Sequence, residues 1–218
     1  NGDSFTGDTY WADRGLHLLN IFDFSRYRYY KIMKNPFNYF DAVYCINLRR
    51  RKDRWIEVKK SFEQLWIADS VIHFYGIETP ENGHIGCMLS HREIIKEAKR
   101  KNFNCILVFE DDLYIRYEKE HYARLINSLS QIDNWFLFYF WGCLSPIKNS
   151  KIHKINNYIS KVSGMNYAHA IAYSKNMYDI FLDEIPSKNE KVKIQLFLKK
   201  WKFFDSWLAE KQNTCLAL

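Results

Sequence analysis

The densest group of reactive side chains in the sequence is Glu110-Asp111-Asp112, reached directly from the apolar run Cys105-Ile106-Leu107-Val108-Phe109. A buried strand that ends in acids places them at the carboxyl edge of a sheet, where open α/β folds bind ligands. Side chains alternate along an extended chain, so Glu110 and Asp112 should share one side and Asp111 the other. Two carboxylates about 4 Å apart repel by roughly 4 kcal/mol at an effective dielectric near 20, and a divalent cation reverses that sign. Hard oxygen ligands suit Mg²⁺ or Mn²⁺, ions that bridge phosphates and neutralise a diphosphate leaving group. A solvated strand end is the other reading of the same acids.

Three more groups could join them. Ile46-Asn47-Leu48 ends a strand and runs into Arg49, Arg50, Arg51, Lys52, Asp53 and Arg54, a cluster able to meet phosphate oxygens with guanidinium forks. Gly83 to Gly86 precedes a helix on which Met88, His91, Ile95 and Ala98 share a stripe, so His91 faces inward, as ligand, base or satisfied core histidine. Ser90 can bond the backbone at the helix start. His169 lies among small apolar residues on a strand, where it could complete a metal shell, touch an acceptor or fill the core.

The elements needed to hold these groups are legible from Asp41 onward. Strand-like runs at Ala42 to Leu48, Val71 to Tyr75, Cys105 to Phe109, Trp135 to Phe140 and Ala168 to Tyr173 alternate with helical stretches, which predicts an α/β sheet with helices on its faces. The helices expected are one through Trp55 to Leu65, one from Gly86 to about Lys101, Lys175 to Leu182, a Lys-rich stretch over Lys188 to Lys202, and one opening near Asp205. At 218 residues and 47% hydrophobic content, the chain supports one domain, assigned to residues 42–218. Residues 1–41 form a basic-aromatic leader, read as a helix packed on that domain or as a peripheral membrane contact.

Five cysteines without a C-x-x-C pair signal neither a disulfide framework nor a zinc knuckle, and fit free thiols in the cytoplasm. The longest apolar stretch, Trp135 to Leu144, is about half of the roughly 20 residues that cross a bilayer. A formal charge of +7 favours an anionic partner. Because the basic residues are interleaved with 25 acidic ones, nucleic acid is not the partner expected.

In this order, the pieces resemble glycosyltransferase family 25, which includes bacterial lipooligosaccharide galactosyltransferases and the collagen galactosyltransferase domain. The resemblance rests on Ile46-Asn47-Leu48 with Arg51, Asp53 and Arg54; on Gly86-Cys87 with Ser90-His91; on Val108 to Asp112; on Ala168-His169-Ala170 with Ser174; and on Asp205 with Trp207-Leu208. It departs at His84, where a Glu is usual. The resemblance implies a GT-A-type, Rossmann-like mixed sheet, a UDP-sugar donor, Mn²⁺ and inversion at the anomeric carbon. It further implies that Glu110, Asp112 and His169 hold the ion, that Asn47, Leu48, Arg51, Arg54, Ser90, His91 and Asp111 serve the nucleotide, and that Asp205 takes the acceptor's proton. Asp205 could equally cap the helix that follows it, and the two roles are compatible. The expected reaction moves galactose or glucose to a glycan, lipid-linked or protein hydroxyl. Two rivals stay open: a catalytically silent sugar- or nucleotide-binding module of a larger protein, and a basic binder of nucleic acid or a membrane surface.

Overall fold

Residues 35–115, 117–144 and 151–218 are described by a computed structural model. Its layering follows from alternation within the strands. In β1 (Ala42–Asn47), β3 (Cys105–Glu110) and β7 (Met165–Ser174), successive side chains enter opposite cores. Tyr44, Ile106, Val108 and Tyr173 fill one core; Val43, Cys45, Leu107, Phe109 and Ala172 fill the other. Both faces are therefore covered, as a near-continuous apolar run such as Cys105 to Phe109 requires.

The first core is closed by α2 (Gly83–Arg100), α4 (Lys175–Glu184), α5 (Lys191–Trp201) and α6 (Phe204–Lys211). Val58 and Phe62 of α1 (Lys52–Gln64) and Tyr122, Ile126 and Leu129 of α3 (Lys119–Leu129) close the second. With β2 (Val71–Tyr75) and β4 (Leu137–Leu144) the main sheet runs β2-β1-β3-β7-β4. Strands β2, β1 and β3 are parallel, whereas β7 is antiparallel to both β3 and β4. This is the α/β sheet between helical layers that the alternation predicts, with the mixed strand directions that the family resemblance implies.

Several boundaries differ from the sequence expectation, each for a local reason. Gly83 to Cys87 is already helical, because Asn82 caps α2 through its side chain, which accepts from the His84 amide at 3.0 Å. Strand β4 runs to Leu144 rather than Phe140, paired to β7 across two register shifts, one between Tyr139 and Trp141 and one between Trp141 and Cys143. A hairpin of β5 (Lys151–Lys154) and β6 (Ser160–Ser163) was not anticipated, since Lys-Ile-His-Lys is exposed at all four positions and offers no apolar alternation. The leader assigned to residues 1–41 falls outside the described residues except at its end. There Asn35 caps a short 3-10 turn, Pro36–Tyr39, and Phe37, Tyr39 and Phe40 are buried in the second core, so these residues belong to the domain.

The last residues also join the sheet. Leu218 exchanges backbone hydrogen bonds with β4 through Leu137 and Tyr139. Gln212, 1% exposed, donates to the Tyr139 hydroxyl and the Met165 carbonyl, both at 2.8 Å, and accepts from the Met165 amide at 2.7 Å. This clamp anchors the segment after α6 to the start of β7. No helix among the described residues is long and apolar enough to cross a membrane.

Candidate active site

From β1 the chain steps to β2 on one side and then, through α2, to β3 on the other, so a crevice opens where the carboxyl ends of β1 and β3 diverge. Ile46 stands opposite Glu110 in register, which brings Asn47 against the acids that follow. Asn47 is 2% exposed. Its amide nitrogen donates to the Arg51 carbonyl at 2.9 Å and to Asp111 Oδ2 at 2.7 Å. Its oxygen lies 3.2 Å from His73 Nε2. The other Asp111 oxygen accepts from Arg54 at 2.9 Å. Asp111 is thus held by an amide and a guanidinium, and it braces the β1 and β3 ends against α1.

Glu110 and Asp112 come together on the other side, though not by strand alternation. Strand β3 stops at Glu110, and the Leu113 amide turns back to the Glu110 carbonyl at 3.2 Å. The turn, together with His169 on the antiparallel neighbour β7, makes the convergence. His169 Nδ1 lies 2.9 Å from Asp112 Oδ1 and 3.5 Å from Glu110 Oε2. Donor atoms of Glu110, Asp112 and His169 all fall within 4.8 Å of one another.

Asp112 and then Glu110 push the His169 imidazole up to about 10, so it is protonated at neutral pH. Burial is the largest influence on Glu110 and works to raise it, but the His169 contact, the His91 ring 3.6 Å away and the Cys87 contact outweigh it, and the carboxyl sits well below the usual range. The protein alone therefore places an imidazolium where two carboxylates demand positive charge. Two carboxylates and one imidazole fit Mn²⁺ better than Mg²⁺, whose ligands are almost wholly oxygen.

Behind this cluster stands the amino-terminal half of α2. Gly86 permits it: a Cβ there would lie 2.2 Å from the Ile77 carbonyl oxygen. Ser90, 1% exposed, donates to the Gly86 carbonyl at 2.6 Å and accepts from the Ile77 amide at 2.8 Å, fastening the loop after β2 to the helix. His91 is fully buried, packed on Tyr173 and Phe204, with Nδ1 3.0 Å from the Tyr173 hydroxyl. It backs Glu110 and is not part of the cleft wall.

That wall encloses about 700 Å³, a volume suited to a small-molecule ligand. Leu48, Ile77 and Pro80 give it apolar surface, Thr79 and Ser90 add hydroxyls, and three arginines (Arg50, Arg51, Arg54) face three acids (Glu78, Glu110, Asp111). Asp112 and His169 adjoin it through Glu110. The arginines are not free forks. Arg51 pairs with Asp53 at 2.7 Å, Arg54 with Asp111, and Arg50 lies 3.6 Å from Glu78. Asp53, a motif residue to which no role was given, is thereby the positioning partner of Arg51.

Asp205 is the second residue of α6. The cap position belongs to Phe203, which makes no side-chain cap bond, so the capping alternative for Asp205 does not hold. Burial first, then the Glu110 charge, raise the Asp205 carboxyl above its ordinary value, while His91, His169 and His84 pull the other way. Its electrostatic neighbours are thus those of the ion cluster. His73 was missed altogether: it stacks on Trp55 at 3.7 Å and orients the Asn47 amide, and nothing in its local sequence marks that role.

The family model described as glycosyltransferase family 25 (LPS biosynthesis protein) matches residues 34–185. The chain belongs to this family. The match takes in Asn47, the acids and His169, and stops short of Asp205. Mouse procollagen galactosyltransferase 2 is 30% identical over 129 residues, 46% of this chain and 20% of that protein. The human protein named inactive glycosyltransferase 25 family member 3 is 27% identical over 158 residues, 59% of this chain and 26% of that one. This family 25 chain thus matches between a fifth and about a quarter of these curated relatives' length. A solved glycosyltransferase involved in glycosylation of the PBCV-1 major capsid aligns with a TM-score of 0.44 at 13% identity, covering 74% of this chain and 75% of that one.

Proposed function

We infer that this family 25 chain transfers a hexose, galactose or glucose, from a UDP-sugar to an acceptor hydroxyl with inversion, on a GT-A-type fold. The observation that carries the reading is the Glu110, Asp112 and His169 cluster adjoining an arginine-containing cleft of about 700 Å³ at the switch point of the sheet. Leu48, Ile77 and Pro80 offer surface for the base, and Arg51 and Arg54 face the phosphates from the amino-terminal turn of α1. Glu110, Asp112 and His169 hold Mn²⁺, which when bound supplies positive charge to the departing diphosphate. Asp205 accepts the proton of the acceptor hydroxyl as that oxygen bonds the anomeric carbon and the bond to the diphosphate breaks. A carboxyl raised by burial is a stronger base than a solvated one, which suits that task. The acceptor is a glycan, lipid-linked or protein hydroxyl, and the setting is the cytoplasm, with the basic-aromatic residues before Asn35 able to touch a membrane.

Incubation with a panel of UDP-sugars and Mn²⁺ tests this. One donor should release UDP slowly without acceptor, and Asp112→Ala should abolish the release. If every donor binds and none turns over, the chain is a silent binding module, a reading favoured by the inactive designation of one human relative. No donor binding together with salt-sensitive binding to polynucleotide or anionic vesicles would sink both.

A further inference from the structure

The two oxygens of Glu110 face different partners. Oε2 looks outward to His169 at 3.5 Å, and Oε1 looks inward, where Cys87 Sγ lies at 3.1 Å and His91 Nε2 at 3.6 Å. Cys87 and His91 are four residues apart on α2, the spacing that presents two side chains to one point. The inner donor atoms of Cys87, His91 and Glu110 also fall within 4.8 Å of one another.

His91 Nε2 decides how this inner group reads. It belongs to a fully buried side chain and makes no hydrogen bond, although a carboxylate oxygen stands just beyond bonding distance. A buried ring nitrogen left without a partner costs free energy that native folds rarely leave uncompensated. The opposite ring nitrogen is engaged by the Tyr173 hydroxyl at 3.0 Å, the kind of outer contact that orients a metal-binding imidazole. Ligands around a four-coordinate ion at about 2.0–2.3 Å stand roughly 3.3–3.8 Å from one another. The His91 to Glu110 separation falls in that range, and the Cys87 to Glu110 separation is slightly under it. Cys87 and Glu110 line the cleft, so an ion has a route in and a fourth position open to solvent or ligand.

We propose that Cys87, His91 and Glu110 form a second cation site, selective for a soft or borderline divalent ion such as Zn²⁺ or Cd²⁺, which shares Glu110 with the outer cluster. Thiolate and imidazole set its preference, since Mg²⁺ and Mn²⁺ gain little from sulfur. Binding replaces the proton on the Cys87 sulfur with the metal and releases that proton to solvent. The proposal does not depend on the glycosyltransferase reading, because it concerns the ion alone.

Cadmium titrated into the whole reduced protein, with no nucleotide-sugar present, tests it through the thiolate-to-cadmium charge-transfer absorption in the ultraviolet. The expected result is a band that saturates at one equivalent, persists in a large excess of Mg²⁺, and is lost in Cys87→Ala. Cadmium NMR on the unsubstituted protein adds a readout that needs no variant, and its shift should be that of a site with one thiolate. Absence of the band, its full retention in Cys87→Ala, its removal by Mg²⁺, or an oxygen-only cadmium shift would each overturn the site.

Discussion

Gly86 is where the geometry of the candidate site makes its sharpest quantitative demand. A Cβ at this position would stand 2.2 Å from the Ile77 carbonyl oxygen and 2.9 Å from Thr79 Oγ1, so backbone has to move by roughly 1 Å. Overpacking of this kind costs about 1–3 kcal/mol, while Ala in place of Gly inside a helix returns at most about 1 kcal/mol. Gly86→Ala should therefore be destabilised by roughly 1–2 kcal/mol, or about 2–8 °C in melting temperature for a chain of this size. Gly83 provides the control on the same helix, because a Cβ there meets nothing within 4 Å. Gly83→Ala should be neutral or stabilised by up to about 1 kcal/mol. Thermal unfolding of both variants, followed by titration with UDP, separates the consequences. Displacing Ile77 breaks its hydrogen bond to Ser90 and shifts cleft residues, so only Gly86→Ala should lose nucleotide affinity. Melting temperatures for the two variants within about 1 °C of each other would refute the close approach.

Asp205→Asn should abolish turnover yet raise the melting temperature at neutral pH. A carboxyl whose folded value is raised contributes stability that is full below its unfolded value, about 3.9, and is lost as pH climbs through the folded value; the amide avoids that loss. A lower melting temperature for the variant at pH 7 would contradict the raised carboxyl. His169, held at about 10 by Asp112 and Glu110, contributes stability that is full below its unfolded value near 6.5 and is lost as pH rises through the folded one. A cation has to displace that proton, so Mn²⁺ affinity measured by calorimetry should strengthen with pH, by up to about tenfold per unit between pH 6 and 8, and a flat profile would exclude His169 as a ligand. Asn47→Leu removes a 2.7 Å bond to the Asp111 carboxylate, a contact of about 1.5–3 kcal/mol in a buried setting, and denaturant unfolding should register a loss of that order. An unchanged midpoint would mean that Arg54 alone holds Asp111.

How much of this was legible in the sequence depended on the range of the interactions involved. The strand from Cys105 onward could be read because burial on both faces leaves an uninterrupted apolar run, whereas Val71 to Tyr75, a half-exposed edge strand, could be read from its short β-branched and aromatic composition. The β5–β6 hairpin could not, since its residues are mostly solvated and backbone pairing alone defines it. The same divide runs through the site. Glu110, Asp111 and Asp112 stand out as an acidic cluster after a hydrophobic strand, whereas the Asp53 contact that fixes Arg51 and the His73 contact that fixes Asn47 depend on where folding delivers each partner. Asp205 was visible as an acid at a helix start, but its neighbours, which make it more than a cap candidate, lie on other elements.

The acids illustrate how a correct residue set can rest on an incomplete reason. Strand alternation predicts that Glu110 and Asp112 share a side, but β3 has ended by then and a turn does the work. What makes the pair chemically useful is His169, and His169 reaches them because β7 runs antiparallel to β3, with Phe109 opposite Ala170 in register. A parallel strand in that slot would enter at the other edge of the sheet and leave a different residue beside the acids. The reversal of β7 is therefore what turns an acidic strand end into a three-donor cluster, and neighbouring ladder positions carry the same dependence. Shifting β7 by one residue would turn His169 toward the opposite face and bury Tyr173 in the wrong core, which couples the register of the site to the packing of the fold.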